Sequence, residues 1–461
     1  MRITVIGTGY LGAVHAACMA DIGHEVLGVD VDTAKIEALA AGRPPFHEPG
    51  LGEFLTRNVE AGRLRFSTSL AAAAGFGDVH FVCVGTPQKP GSNAADLRYV
   101  DAVIEGLAPG LRAGALVVGK STVPVGTAAR LIERIRELAP VGTVAELAWN
   151  PEFLREGFAV HDTLHPDRVV VGVTSNDADT VLREVYAPIL ETNRTPWIST
   201  SLATAELAKV SANAFLATKI SFINAMADVC DAAGGDVVTL ADAIGYDPRI
   251  GRRFLSAGVG FGGGCLPKDI RAFIARAGEL GVDEALSFLR NVDEINMRRR
   301  RRAVEVAREL AGGTFLGRNI AVLGAAFKPD SDDVRDSPAL NVAAAVQLQG
   351  AQVRVHDPAA IDNARALFPT LDYVPDVEKA CEHADLVLHL TEWRDYRELD
   401  PSVLAGIVRH PRVLDGRNVL DAQVWRAAGW TVRALGRAHD RGRSGEGMPA
   451  PRPGGWISLK G

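Results

Sequence analysis

The chain has 461 residues, of which 47% are hydrophobic, and its formal net charge is −6 at pH 7. This length allows two or three domains with separate cores, and the mildly acidic balance gives no support for nucleic acid as the main partner. The apolar runs are shorter than a membrane helix requires, and the N-terminus does not resemble a signal peptide. Five cysteines without a Cys-x-x-Cys pair indicate a reducing, cytoplasmic setting without disulfides or a metal cluster.

The N-terminal part alternates short apolar segments with helical patterns, which is typical of a parallel, doubly wound α/β sheet. We predict strands at 2–7, 26–30, 79–84 and 116–119, and an alanine-rich helix that ends near Asp21. In sheets of this kind ligands bind at the carboxyl ends of the strands, where the following loops begin. Thr122, in such a loop, is a candidate for holding a water or a cofactor ring, or for capping a turn.

Gly7-x-Gly9-x-x-Gly12 follows the first strand and opens the first helix. Glycines in this pattern allow a tight turn and the approach of a pyrophosphate, whose charge the helix N-terminus favours. Asp30, 18 residues after Gly12, would accept hydrogen bonds from a ribose and repel a 2′-phosphate, so NAD is favoured over NADP. A structural turn is the alternative. Lys35 is a further candidate contact, although a solvated helix lysine is as common.

Two pairs of polar residues have helical spacing. Lys209 and Asn213 lie four apart in a pattern that predicts one long helix over 201–233, which would bridge domains, form a dimer interface or belong to a core. A cation and an amide on one face could stabilise an oxyanion. Glu152 and Glu156 are also four apart, and paired carboxylates can act as a base and an orienting group. Solvated helix faces are the alternative for both pairs.

A glycine-rich loop over 258–264 ends at Cys265, and a helical pattern follows. Pro267 suits the first turn of that helix. A cysteine at a helix N-terminus is expected to favour the thiolate, which makes Cys265 a candidate covalent nucleophile. The other four cysteines lie in apolar patterns where buried, inert thiols are usual. Together with the dinucleotide pattern, Cys265 predicts an oxidation that passes through a thioester.

A second α/β pattern begins near residue 317, with strands predicted at 319–324, 352–356, 386–390 and 412–414. The predicted fold class is therefore α/β, with two Rossmann-like doubly wound domains joined by a long central helix. We expect an NAD-binding domain over 1–200, a central helical dimerisation segment with the cysteine loop over 201–300, a second α/β domain over 301–436 and a disordered tail over 437–461. The arginine run 298–302 is predicted to be mostly solvated surface.

These motifs in combination resemble the UDP-glucose/GDP-mannose dehydrogenase family, and within it the UDP-glucose 6-dehydrogenase branch. The resemblance covers nearly the whole chain except the tail. The matching stretches are GTGYLG at 7–12, EPGL at 48–51, VGTP at 84–87, STVPVGT at 121–127, NPEFLREG at 150–157, AKVSANAFLATKISFIN at 208–224, RIGRRFLSAGVGFGGGCLPKD at 249–269, AFKPDSDDVRDSP at 326–338 and DGRN at 415–418.

The resemblance implies an NAD-dependent, four-electron oxidation of UDP-glucose to UDP-glucuronate, with a thiohemiacetal and then a thioester on Cys265. It also implies that the C-terminal domain binds the UDP-sugar and that the protein is a homodimer or a higher homo-oligomer. Two alternatives stay open: a GDP-mannose or UDP-N-acetylhexosamine 6-dehydrogenase, and a non-catalytic NAD-sensing protein.

The resemblance also implies roles for individual residues. Lys209 and Asn213 would stabilise oxyanions, and Asp269 and Thr122 would organise water and proton transfer. Glu156 would be a candidate base for thioester hydrolysis, and Glu152 a conformational or substrate-loop carboxylate. The implied cofactor contacts are Gly7, Gly9, Tyr10, Leu11, Gly12, Asp30, Lys35, Thr86, Thr122, Glu156 and Arg335. The implied substrate contacts are Glu152, Phe153, Leu154, Lys209, Asn213, Arg249 (from across a dimer interface), Phe254, Leu255, Gly262, Lys328 and Arg417.

The sequence departs from the family pattern at two positions. Gly264 stands where serine often precedes the cysteine, and Ala225 stands where glutamate is often found. Neither departure removes a core catalytic group, but both bear on catalytic efficiency and on the rigidity of the loop.

Overall fold

The computed structural model describes residues 1–437, so the predicted tail lies, apart from Arg437, outside the described residues. Its strands are β1 (Arg2–Ile6), β2 (Glu25–Val29), β3 (Leu64–Ser67), β4 (Val79–Val82), β5 (Leu116–Gly119), β6 (Glu146–Trp149), β7 (Val169–Gly172), β8 (Trp197–Thr200), β9 (Asn319–Leu323), β10 (Gln352–His356), β11 (Asp372–Tyr373), β12 (Leu386–His389), β13 (Arg412–Asp415) and β14 (Thr431–Ala434).

The helices alternate with these strands in both halves of the chain. They are α1 (Tyr10–Asp21), α2 (Thr33–Ala40), α3 (Leu51–Glu60), α4 (Leu70–Phe76), α5 (Arg98–Leu107), α6 (Thr127–Leu138), α7 (Ala159–Leu164), α8 (Asn176–Asn193), α9 (Leu202–Ala233), α10 (Val237–Gly245), α11 (Leu266–Glu279), α12 (Phe288–Leu310), α13 (Pro338–Gln347), α14 (Ile361–Leu367), α15 (Val377–Cys381), α16 (Arg394–Arg397), α17 (Pro401–Ala405) and α18 (Ala422–Ala427).

The N-terminal sheet has eight strands in the order β3-β2-β1-β4-β5-β6-β7-β8. Neighbouring strands are parallel except β6 and β7, which pair antiparallel. The predicted fold class is confirmed, and the strands predicted at 2–7, 26–30, 79–84 and 116–119 correspond to β1, β2, β4 and β5. The strand order reverses between β1 and β4, and the crevice at such a switch point is where doubly wound sheets bind ligands.

The predicted long helix over 201–233 is α9, which has 32 residues and runs between the two sheets. Its first turn is capped by the hydroxyl of Ser201, which accepts the Thr204 N–H at 3.2 Å, and it ends at Gly234 in the left-handed conformation. One side of α9 packs on α11 and α12 through a small apolar core. The glycine-rich loop and α11 are therefore attached to a rigid element that also contacts the N-terminal sheet.

The C-terminal sheet has six parallel strands in the order β11-β10-β9-β12-β13-β14. Its first loop, after β9, begins like a dinucleotide loop because Gly324 has a φ of +114°. Here, however, the amides of Ala325 and Ala326 donate to buried Asp357 at 2.7 and 2.9 Å, and Asp357 also accepts from the Trp393 indole at 3.1 Å. An internal carboxylate thus takes two amides of this loop, whereas in the N-terminal loop the corresponding carboxylate, Asp30, takes the Thr8 amide.

The prediction of a mostly solvated arginine run is wrong for two of its members, because Arg299 and Arg300 are buried. Arg299 pairs with Asp228 and donates to the Gly258 carbonyl at 3.0 Å, and Arg300 donates to Asp336 at 2.6 Å. Successive residues of a helix point in different directions. Arg299 points towards α9 and the cysteine loop, and Arg300 points towards the C-terminal domain. Arg299 and Arg300 therefore connect α12 to other parts of the fold and are not solvated surface residues.

Candidate active site

The first loop of the N-terminal sheet fits a dinucleotide. Gly7 has a φ of +91°, and a Cβ at Gly12 would lie 1.8 Å from the Gly7 carbonyl oxygen, so both positions require glycine. At Gly9, by contrast, a Cβ would meet no atom within 4 Å, so this backbone is open to a large ligand. The N-terminus of α1 has no capping side chain and no acidic residue in its first turn, which suits a phosphate.

Asp30 lies at the end of β2 beside this loop, where it accepts the Thr8 N–H at 2.8 Å. Lys35 is close enough to form an ion pair with it, at 3.0 Å. Burial opposes ionisation of Asp30, but hydrogen bonds from Lys35, Asp32 and Thr8 outweigh it and lower its pKa. An ionised carboxylate that accepts hydrogen bonds at this position suits a ribose diol and repels a 2′-phosphate.

Cys265 is the N-cap of α11, and Pro267 lies in the first turn, as predicted. Cys265 is an exposed residue, whereas the other four cysteines are buried. Loss of hydration around its thiol, together with the charges of Asp269 and Glu152, raises its pKa to about 12 even though Lys209 opposes this. The expectation that Cys265 rests as a thiolate is therefore wrong: burial first, and then the nearby carboxylates, raise the pKa of the thiol despite its place at a helix N-terminus.

Two polar pairs lie beside Cys265. Lys209 forms an ion pair with Glu152 at 2.9 Å, and the Asn213 side-chain amide donates to Asp269 at 2.7 Å. Desolvation disfavours the Lys209 cation, but the charge of Glu152 and the hydrogen bond to that carboxylate raise its pKa, so the ammonium persists. Lys209, Asn213 and Asp269 are buried, so the alternative of a solvated helix face is wrong for Lys209 and Asn213.

Residues 151–157, which carry Glu152 and Glu156, form a loop and not a helix. The Glu156 carboxylate accepts a hydrogen bond from Ser331 at 3.2 Å and lies 3.4 Å from Arg335. Its own carbonyl oxygen accepts from Lys328 at 2.5 Å. Burial, together with the charge of Asp333, raises the pKa of Glu156 to about 7. A carboxylate with this pKa can exchange protons near neutrality, as a general base must.

Thr86 and Thr122 lie together at the carboxyl ends of β4 and β5, where the Thr86 hydroxyl donates to the Thr122 carbonyl at 2.6 Å. With Asp269 and Phe273 they line a cavity of about 20 Å³. This volume is enough for one water molecule. The part of Thr122 and Asp269 in organising water stays a prediction.

Two of the candidate substrate residues, Arg417 and Gly262, lie where the glycine-rich loop meets the C-terminal domain. Arg417 donates to the carbonyls of Leu390, Gly260 and Phe327 at 2.7, 3.0 and 3.2 Å, so it ties the glycine-rich loop to the C-terminal domain. Gly262 is equally constrained, because a Cβ there would lie 2.3 Å from the Asp336 carbonyl oxygen.

Phe153 lies under the Lys209 ammonium, 5.7 Å from its ring centre, and the Leu154 amide donates to Glu152 at 2.6 Å. Arg249 and Phe254 are exposed on the loop after α10, where Arg249 pairs with Asp247, and Leu255 is buried nearby. Arg249 is therefore not brought to Cys265 within one chain.

Three residues that sequence reasoning missed contribute to the site. Lys120 is buried at the end of β5 and donates to Asn150 at 3.0 Å and Tyr186 at 3.3 Å, and burial lowers its pKa to about 8. Glu48 and Asp333 contact the turns around Glu156 and Cys265, respectively. A lysine directly after an apolar strand was a usable signal for Lys120. Glu48 and Asp333 lie in motifs that match the family, but the residues that they contact, Gly157 and Gly264, are far away in sequence.

Within residues 1–437 no cluster of three or more His, Cys, Asp or Glu side chains could hold a metal ion. In the same part of the chain no helix combines the length and the apolar character needed to cross a bilayer.

An open glycine loop, an ionised ribose acceptor and a cysteine beside a buried lysine are consistent with an NAD-dependent dehydrogenase. Three models of the UDP-glucose/GDP-mannose dehydrogenase family match the chain: the NAD binding domain over residues 1–190, the central domain over 203–298 and the UDP binding domain over 321–422.

The relatives agree with this class. The chain is 43% identical to UDP-glucose 6-dehydrogenase of Rhizobium meliloti over 95% of this chain and 100% of the relative. Its fold matches a UDP-glucose dehydrogenase of the hyperthermophilic archaeon Pyrobaculum islandicum with a TM-score of 0.87 and 40% identity, over 95% of this chain and 98% of the other. For a UDP-D-ManNAc dehydrogenase of Pyrococcus horikoshii the TM-score is 0.83 and the identity 27%, over 95% and 99%. The chain belongs to the UDP-glucose/GDP-mannose dehydrogenase family.

Proposed function

We propose that this protein oxidises UDP-glucose to UDP-glucuronate with two molecules of NAD. The observation that carries the proposal is the position of Cys265, an exposed cysteine whose thiol lies within reach of the charges of Lys209, Glu152, Asp269 and Glu156. The relatives that share about two fifths of their residues with this chain over nearly its full length are named for that substrate.

In the first oxidation the C6 alcohol loses a hydride and a proton and becomes an aldehyde. NAD, when bound, accepts a hydride in each of the two oxidations. The Lys209 ammonium stabilises the negative charge that develops on the alcohol oxygen, because a buried cation acts strongly at short range. The cavity between Thr122 and Asp269 has room for the water that accepts the alcohol proton.

The Cys265 thiol then adds to the aldehyde. A carbon–sulfur bond forms, and the thiol proton ends on the former carbonyl oxygen, which gives a thiohemiacetal. A thiohemiacetal carbon carries a hydrogen that can leave as hydride, and its loss with the hydroxyl proton gives a thioester. Lys209 and Asn213 stabilise the oxyanion at both stages. The covalent bond keeps the half-oxidised sugar in the cleft while the reduced cofactor is exchanged.

Hydrolysis follows when Glu156 takes a proton from water and the water oxygen adds to the thioester carbon. The carbon–sulfur bond breaks, the sugar leaves as a carboxylate, and the thiolate of Cys265 recovers a proton. The pKa of Glu156, about 7, suits a base at neutral pH. The N-terminus of α11 contributes here, because it stabilises the thiolate as a leaving group.

The test is a substrate panel with NADH stoichiometry. We expect clear preference for UDP-glucose over GDP-mannose and UDP-N-acetylmannosamine, and two NADH for each UDP-glucuronate. Preference for either of the other sugars would overturn the substrate, and one NADH per sugar would overturn the four-electron chemistry. NAD binding without NADH production from any nucleotide sugar would favour a sensing protein instead.

We also propose that the protein is a homodimer formed through α9. Phe215, Phe222 and Val229 are spaced seven apart on this helix and are 67%, 49% and 55% exposed. Apolar residues at this spacing form one stripe, and such a stripe is typical of a helix interface. Replacing Phe215 and Phe222 by glutamate should give monomers in light scattering, whereas an unchanged mass would refute this interface.

A cytoplasmic location is part of the proposal. All five cysteines are free thiols, and the chemistry requires Cys265 in its reduced form. Arg249, exposed in one chain, is proposed to reach the substrate of the partner in the dimer.

A further inference from the structure

Glu48 is a buried carboxylate that lies just before α3, outside the catalytic constellation. It accepts the Gly157 N–H at 2.8 Å and the Val160 N–H at 3.2 Å, and it accepts a short hydrogen bond from the Tyr10 hydroxyl. The same hydroxyl oxygen also accepts the Gly157 N–H, at 2.6 Å. Burying a charge is costly unless donors surround it, and three donors meet this one. Glu48 and Tyr10 together therefore hold the backbone turn at Gly157.

The other side of that turn is fixed by the C-terminal domain. Gly157 has a φ of +80°, and a Cβ there would lie 2.4 Å from the Asp330 carbonyl oxygen. One residue earlier, the Glu156 carbonyl oxygen accepts from Lys328 at 2.5 Å. The peptide between Glu156 and Gly157 is thus held between Glu48 on one side and the segment 328–330 on the other.

We infer that Glu48 is a positioning residue for thioester hydrolysis, because it holds the turn that places the Glu156 carboxylate relative to Cys265. The inference rests on the proposed function. Tyr10, which links Glu48 to this turn, is the first residue of α1 and directly follows Gly9.

The rest of the constellation is held independently of Glu48. Cys265 and Asp269 lie on α11 or at its N-terminus, and Lys209 lies on α9. Glu152 is fixed by Lys209 at 2.9 Å and by the Leu154 amide at 2.6 Å. Loss of the Glu48 charge should therefore loosen Glu156 and spare the groups that serve hydride transfer.

The variant that tests this is Glu48→Gln, which keeps the shape but places an NH₂ group against amide donors. Glu53→Gln is the matched control, because Glu53 is exposed on the adjoining helix α3. With UDP-glucose and NAD, Glu48→Gln should release a first-turnover burst of about two NADH per active site and then turn over roughly 100-fold more slowly than the wild type, since a displaced base can cost this much. Mass spectrometry should show the sugar on Cys265.

Hydroxylamine distinguishes a displaced base from general damage. It attacks the thioester without a general base, gives the hydroxamate and frees the thiol, so it should restore turnover of Glu48→Gln. Unchanged steady-state turnover would overturn the inference, as would equal losses in burst and steady state.

Glu48→Asp, which keeps the charge but retracts it, is measured in parallel. Absence of a burst in both variants would show that Glu48 serves the fold, which also overturns the inference. Failure of the wild type itself to reduce NAD with UDP-glucose would overturn the proposed function instead.

Discussion

Alanine at Gly264 should shift the pH dependence of hydrolysis. A Cβ at this position would lie 2.2 Å from the guanidinium carbon of Arg335 and 2.4 and 2.5 Å from its terminal nitrogens. These atoms are the end of a flexible side chain, so Arg335 would move and the backbone would stay. Arg335 now lies 3.4 Å from Glu156 and lowers the pKa of that carboxyl, against burial and Asp333, which raise it to about 7.

The size of the shift follows from the exposure of the pair. The Arg335 side chain is 62% exposed, so solvent screens it. Exposed pairs contribute about 0.2–1 kcal/mol, and one pKa unit corresponds to about 1.4 kcal/mol, so the pKa of Glu156 should rise by about 0.1–0.7. Since Glu156 acts as the carboxylate, the acid limb of the turnover profile should move to higher pH by that amount.

The assay is steady-state NADH production with saturating UDP-glucose as a function of pH. Gly75→Ala is the control, because a Cβ at Gly75 would meet no atom within 4 Å. Serine at position 264 should act in the same direction as alanine. A profile that keeps its midpoint, or moves to lower pH, would refute the link from Gly264 through Arg335 to Glu156.

Four further predictions concern the catalytic groups. Cys265→Ser should reduce UDP-glucuronate formation by at least about 1,000-fold and leave NAD affinity unchanged; full product output by chromatography would refute the thioester route. Wild-type turnover should fall about tenfold per pH unit below about 7, because protonated Glu156 cannot act as the base; a flat profile would exclude it. Lys120→Met should lower turnover roughly tenfold without lowering the melting temperature, since it removes a buried cation; the opposite pattern would assign Lys120 to the fold. Alkylation of Cys265 in the free protein should still accelerate with pH up to about 9, because its pKa is about 12; a plateau near neutrality, seen by mass spectrometry, would contradict that pKa.

The sequence predicted those elements whose signal is local. β1, β2, β4 and β5 are short, mainly apolar runs followed by glycine or polar residues within three positions, and α9 has apolar stripes over its whole length. β3 and β8 are partly exposed, so they lack a continuous apolar run. The antiparallel pairing of β6 and β7 departs from the alternation of strands and helices, and local pattern does not reveal it.

In the candidate site, too, the sequence predicted the features with a local signal and missed those that depend on distant residues. The residue types at Cys265, Lys209 and Glu156 could be selected from spacing and motif, because each lies in a recognisable loop or helix. Their protonation could not, because it depends on neighbours that folding brings from elsewhere. Cys265 was expected to ionise at its helix N-terminus, yet Glu152, more than a hundred residues away, helps to raise its pKa. Glu48 contacts Gly157 across a similar distance in sequence, and no local pattern connects the two.

Asp357 makes the first loops of the two sheets unequal in their capacity to bind a dinucleotide. Asp357 takes the amides of both Ala325 and Ala326, whereas Asp30 in the N-terminal sheet takes the Thr8 amide, so a second dinucleotide would have to compete with Asp357 for the Ala326 amide. We therefore expect one NAD per chain. An engineer who wished to install a second nicotinamide in the C-terminal half would first have to remove Asp357, and would thereby leave the indole of Trp393 without its acceptor.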